Sequence, residues 1–183
     1  MTYYGPKELA ASFRTVRNNT IKIAEEIPED KYAFRPAEGC RSIGETLVHI
    51  AVGAGLQEKI HGDRLTTLVG FDFFGFMGGM AAQEQVARNK AQILELLRTE
   101  GEKYAKMLEG LSESFLAEQV QYPEGMVPPA KSRFEMLMAP KEHEMHHRGQ
   151  LMVAQRMIGL TPHLTRQMQE RVAAMQAQAK AAN

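Results

Sequence analysis

The chain has 183 residues, of which 44% are apolar and 24% charged, the composition of a soluble globular domain large enough to bury its own core. Lysine plus arginine and aspartate plus glutamate both total 22, giving zero formal net charge and no basic block, which argues against a nucleic-acid-binding surface. One cysteine, Cys40, rules out an internal disulfide framework and a cysteine-rich zinc or iron–sulfur site, and suits a reducing cytoplasm.

In chain order, the first predicted helix covers residues 6–26, where Leu9, Phe13, Val16 and Ile23 recur at helical spacing, and Pro28 stops it. A loop with Pro36 and Gly39 follows. Ser42-Ile43-Gly44-Glu45 reads as a capping box, the Ser42 hydroxyl accepting from the Glu45 amide and the Glu45 carboxylate from the Ser42 amide. The helix it opens is predicted to run through His49 to about residue 60. Residues 62–80 are rich in glycine and contain Phe71, Phe73, Phe74 and Phe76, which predicts a connection packed on the bundle end or walling a site.

Residues 81–109 form the longest predicted helix, with Gly110 as its stop. Residues 111–130 form a connection with Pro123, Pro128 and Pro129. The fourth helix is predicted over 132–159, and Pro140 inside it predicts a kink or a late start. The tail from Pro162 is rich in Gln and Ala and is predicted to be helical at first, either free or packed on a partner subunit. No alternating strand pattern is evident, no second domain is marked, and the apolar run over 68–82 is interrupted by Asp72 and too short to span a bilayer. The expected fold is an all-α four-helix bundle in a single domain, with a C-terminal tail helix.

The chemistry concentrates in histidine. His143, His146 and His147 fall within five residues of the fourth helix. At about 100° per residue, His143 and His147 share the face carrying Leu151 and Ala154, while His146 falls on the flank. His49 lies on the inward face of the second helix by the same measure. Three buried imidazoles need partners, and one shared metal would serve all three. Three protein ligands leave an open coordination position, as catalytic rather than structural metal sites do. Histidine ligation alone admits zinc, nickel, copper or iron.

His143-Glu144-x-x-His147 also spells the zincin protease motif, with Glu144 as base. That reading is disfavoured: Glu144 points about 100° away from His143, no strand offers a peptide edge, and the third ligand would have to be Glu170 in the tail. Glu144 and Glu45 remain weak candidates for a general base, Glu45 being better explained as the cap. Cys40, just ahead of a helix N-terminus, is a weak ligand candidate.

The stretch His143-Glu-Met-His-His147-Arg-Gly-Gln-Leu151, followed by Gly159-Leu-Thr-Pro162, resembles the C-terminal signature of the DinB/YfiT-like superfamily. Phe34-Arg-Pro-Ala-Glu-Gly39 with Ser42-Ile-Gly-Glu-Thr-Leu-Val-His49 is similar to that superfamily's entry into the second helix. The resemblance implies an up-down-down-up four-helix bundle, often a homodimer. It also implies a divalent metal, usually zinc or nickel, on His49, His143 and His147, with Gln150 supporting the site. Branches of the superfamily include S-transferases using low-molecular-weight thiols such as bacillithiol or mycothiol, and a thiol-dependent maleylpyruvate isomerase. The implied activity is therefore a metal-activated thiol attacking a small electrophilic substrate, with the phenylalanine-rich segment as a substrate wall. The alternatives are a metal-dependent hydrolase and a non-catalytic, stress-associated metal-binding dimer. No nucleic-acid or membrane partner is expected.

Overall fold

The computed structural model describes residues 4–181. Helix α1 (Pro6–Glu26) starts with proline at its first position, where a missing N–H costs nothing, and a 3₁₀ turn (Glu29–Lys31) follows. Next come α2 (Ile43–Val52), α3 (Gly55–Gly62), α4 (Phe73–Glu84) and α5 (Lys90–Glu109). A short α6 (Glu113–Ala117) leads into strands β1 (Gln119–Gln121) and β2 (Ala130–Ser132), then α7 (Arg133–Met157) and α8 (His163–Ala181). The fold is the up-down-down-up four-helix bundle: α5 packs along α1 and α2, and α7 packs against the same two helices. No described helix is long and apolar enough to cross a membrane.

Two apolar clusters fill the bundle. One gathers Ile23, Ile27, Leu47, Ile50, Leu97, Leu151 and Ala154. The other gathers Leu9, Phe13, Tyr104, Leu108 and Leu137. Between them on α1, α5 and α7 lie Arg17, Gly101 and Glu144. The Arg17 Nε donates to both Glu144 oxygens at 3.1 and 3.0 Å, and its other nitrogens reach the Leu97 and Ile50 carbonyls at 2.8 and 3.2 Å. A Cβ at position 101 would stand 2.8 Å from the Arg17 Cγ, so glycine makes room for the buried guanidinium.

Several elements differ from expectation for identifiable reasons. The second predicted helix breaks at Gly53 and Ala54 into α2 and α3. The segment expected to be a connection contains α4, capped by Asp72, whose carboxylate accepts from the Gly75 amide at 2.8 Å. Its glycines obscured the helix because their propensity is poor. The third predicted helix is thereby divided: residues 81–84 end α4, and α5 starts afresh after an Asn89 cap. The 111–130 connection contributes β1, which pairs antiparallel with β2 and buries Val120 against Ile60 and Met136. α7 begins at its Ser132 cap and continues through Pro140 as one helix, so the start is not delayed. α8 is helical to Ala181 and largely exposed.

Candidate metal centre

The capping box at Ser42 forms as the sequence predicts: the Glu45 amide reaches the Ser42 Oγ at 3.2 Å, and the Ser42 amide reaches the Glu45 Oε2 at 2.8 Å. It starts α2 at a defined point and so sets the rotation that turns His49 inward. On α7, the four-residue spacing places His143 and His147 one turn apart. His143 Nε2 then lies 3.0 Å from His49 Nε2 and 3.1 Å from His147 Nε2. Candidate ligand atoms from all three residues lie within 4.8 Å of one another, and this is the one histidine, cysteine or carboxylate group of that kind among the described residues.

The far side of two rings is specified. His49 Nδ1 lies 2.7 Å from Glu84 Oε1, so it donates a proton to that carboxylate. His147 Nδ1 lies 2.8 Å from Gln150 Oε1, while the Gln150 amide nitrogen lies 3.0 Å from His146 Nε2. With both Nδ1 atoms protonated, His49 and His147 each present a bare Nε2 lone pair toward His143 Nε2. A single proton on His143 Nε2 can serve one of them well, not both. A cation shared by three lone pairs resolves the conflict, and tetrahedral ligands at about 2.0–2.1 Å from zinc would stand about 3.3 Å apart, close to the two separations that His143 Nε2 makes with His49 and His147. The donor set therefore fits a divalent metal.

Burial favours the neutral form of His143 and His147. It lowers the His143 pKa to about 4, with His147 and His49 adding to the effect. Burial also lowers His147, partly opposed by its bond to Gln150. Neutral imidazole is the form that binds a metal. Space matters too: a Cβ on Gly53 would stand 3.2 Å from both His143 Nδ1 and the His49 carbonyl oxygen. The break after α2 thus leaves glycine where the His143 ring passes.

A cleft of about 740 Å³ opens beside His147, lined by Pro36, Cys40, Arg41, Thr46, Gln150 and Leu151 among others. The phenylalanine-rich segment does not wall it. Phe71 and Phe73 instead border a separate apolar cavity of about 410 Å³ with Leu56, Ile60 and Met136.

The base candidates are otherwise engaged. Glu144 is buried with both oxygens on Arg17. Glu45 accepts from Ser42 and from Arg35, and these contacts hold its carboxyl below the usual range. Neither carboxylate, nor Cys40, nor the tail's Glu170, joins the group of three imidazoles. Glu84 was not foreseen. It lies 35 residues from His49 in a segment whose local pattern carries no sign of the contact.

The fold and the converging imidazoles define a four-helix-bundle protein with a candidate metal centre. The chain belongs to the DinB family, whose profile matches residues 1–179. The YjoA protein of Bacillus subtilis is 28% identical over 156 residues, spanning 84% of this chain and 91% of YjoA. The crystal structure of that DinB-like protein superposes with a TM-score of 0.62 at 26% identity, covering 84% of this chain and 94% of YjoA. A DinB-like protein from Bacillus cereus gives 0.67 at 17% identity, over 88% and 97% of the two chains. YfiT from Bacillus subtilis gives 0.64 at 12% identity, over 88% and 91%, and is described as a probable metal-dependent hydrolase with an unusual four-helix bundle topology.

Proposed function

We propose that this chain is a metal-dependent enzyme in which His49, His143 and His147 hold a divalent ion, zinc or nickel, and that it joins a low-molecular-weight thiol to a small electrophile. The observation that carries the reading is the convergence of three Nε2 atoms, two of them with their tautomers set by Glu84 and Gln150. A divalent metal there supplies a Lewis-acid position that lowers the pKa of a bound thiol or water. The protein's own groups do the rest. Glu84 and Gln150 aim the His49 and His147 imidazoles, burial favours the neutral form of His143 and His147, and the cleft beside His147 admits a small molecule along one side. An enzyme needs such a cleft, which favours catalysis over a purely structural metal site.

Hydrolysis is the second reading, favoured by the description of the YfiT fold neighbour. The engagement of Glu144 and Glu45 weighs against either as a base for water, and leaves Glu84 as the carboxylate in contact with the imidazole group. The reading further includes a homodimer. The exposed Met168, Val172 and Met175 of α8, spaced at helical intervals, support a helix that a second copy covers.

Metal content of untagged protein, wild type and His143→Ala, tests the centre. About one zinc or nickel per chain, lost in the variant, is expected for an open three-histidine site. No metal in wild type, even after incubation with zinc and nickel, overturns the reading. A screen of thiols with electrophiles, run beside a panel of esters and amides, then separates transferase from hydrolase.

A further inference from the structure

Arg41 is the one permanently charged side chain among the described residues lining the cleft beside His147; the remainder of that wall is apolar or neutral, including Ile43, Thr46, Gln150 and Leu151. The residue is held in place by the loop behind it. Arg35 Nη1 donates to the Cys40 carbonyl at 2.7 Å, the Cys40 amide donates to the Ala37 carbonyl at 3.2 Å, and Arg35 also pairs with Glu45 of the cap. Arg41 therefore projects from a braced turn directly ahead of α2, the helix that carries His49.

Its own guanidinium is under-used. Among the described residues its hydrogen-bonding partner is Glu84, through Nη2 at 3.5 Å, a long contact with the arginine side chain 46% exposed. Such a pair is too long and too wet to fix a guanidinium by itself. Yet the contact locates it: the same Glu84 carboxylate holds His49 through its other oxygen at 2.7 Å. The cationic fork thus borders both the cleft and the imidazole group.

We infer that the substrate of this centre carries one carboxylate, anchored by Arg41 in the cleft while its reacting end lies at the three imidazoles; this rests on the metal-centre reading above. One cation on a mostly apolar wall, with only a long contact to Glu84 as its counter-charge, matches one negative charge. A planar fork with free N–H groups matches a carboxylate, which it can grip with two parallel hydrogen bonds. A phosphate dianion would ask for more cationic groups than this wall has. Arg41 is on this view a specificity-determining residue, and the neutral remainder of the wall accommodates the carbon chain between the two ends.

The test uses the full-length zinc-loaded protein and a pair of probes, 3-mercaptopropionate and its methyl ester, which share a thiol and differ by one charge. Binding is followed by calorimetry, with zinc content measured on the same samples. Wild type is expected to prefer the acid by roughly tenfold. Arg41→Gln is expected to keep its zinc and bind acid and ester alike, and Arg41→Lys to retain part of the preference because it keeps the charge without the fork. Equal binding by zinc-loaded wild type, or a preference that survives in Arg41→Gln, overturns the inference. Failure to retain zinc would overturn the metal-centre reading instead, and Arg41 is then judged on metal-free protein. Cys40 is the sole cysteine, is exposed and lines the same cleft, so its alkylation by iodoacetate relative to iodoacetamide reports anion attraction there. A ratio several-fold higher in wild type than in Arg41→Gln is expected from a nearby cation; identical ratios overturn the inference.

Discussion

Glu84 Oε1 lies 2.7 Å from His49 Nδ1, which ties the last residue of α4 to the last turn of α2. A carboxylate behind a histidine fixes the ring and raises its basicity as a ligand. Glu84→Ala is expected to lower zinc or nickel affinity by about 10–100-fold while leaving the bundle folded. Competition against a chromophoric chelator measures this. Affinity equal to wild type would show that the contact does not support ligation.

Gly53 gives the His143 ring its space. In Gly53→Ala the new methyl would meet the ring and the His49 carbonyl at 3.2 Å, and both belong to the candidate centre. We expect about 1–3 kcal/mol of destabilisation from overpacking, together with weaker metal binding. Urea denaturation and chelator competition on the same variant check both effects; an unchanged metal affinity would show that the ring yields without cost.

Arg17 and Glu144 form a buried ion pair with side chains 5% and 2% exposed. Removing one partner leaves an uncompensated buried charge. Arg17→Met and Glu144→Gln are each expected to lose about 3–5 kcal/mol of stability, and the pair of changes Arg17→Met with Glu144→Leu to lose much less. Urea unfolding of the three variants decides it. Single losses below about 1 kcal/mol would mean that water reaches the pair.

His61 predicts an acid limb. It is buried beside Arg133, whose Nη1 lies 3.2 Å from its Nδ1, and burial first, then the Arg133 charge, lowers its pKa to about 4. The unfolded chain binds this proton at about 6.5, so between about 6.5 and about 4 the unfolded state holds more protons than the folded one. Stability is therefore intact above that window, declines as pH falls through it, and levels off below about 4. His143 contributes in the same direction, so the effect of His61 is the difference between wild type and His61→Gln. Urea midpoints across this range should fall less steeply in the variant. Parallel curves would rule His61 out as a source of the acid limb.

The histidine trio was legible because its rules are local. A four-residue spacing puts His143 and His147 on one helix face whatever packs against it, and a capping box at Ser42 orients the helix that bears His49. The second helix ends at Val52, after His49, so the turn that carries this histidine keeps its phase relative to the cap. Glu144 illustrates the opposite case. As part of a motif it suggested a base, and only its partner from α1, 127 residues away, reveals a buried charge pair.

By itself, then, the sequence determined the helices with strong periodicity, the caps that start them, and which three imidazoles face inward, since these follow from backbone geometry and burial over a few residues. Tertiary structure decided the glycine-rich helix α4, the arrival of Glu84 at His49, the fate of Glu144 and the position of Arg41 on the cleft. Each of these depends on which distant elements become neighbours, and a hydrogen bond or ion pair between them leaves no periodic trace in either strand of sequence that forms it.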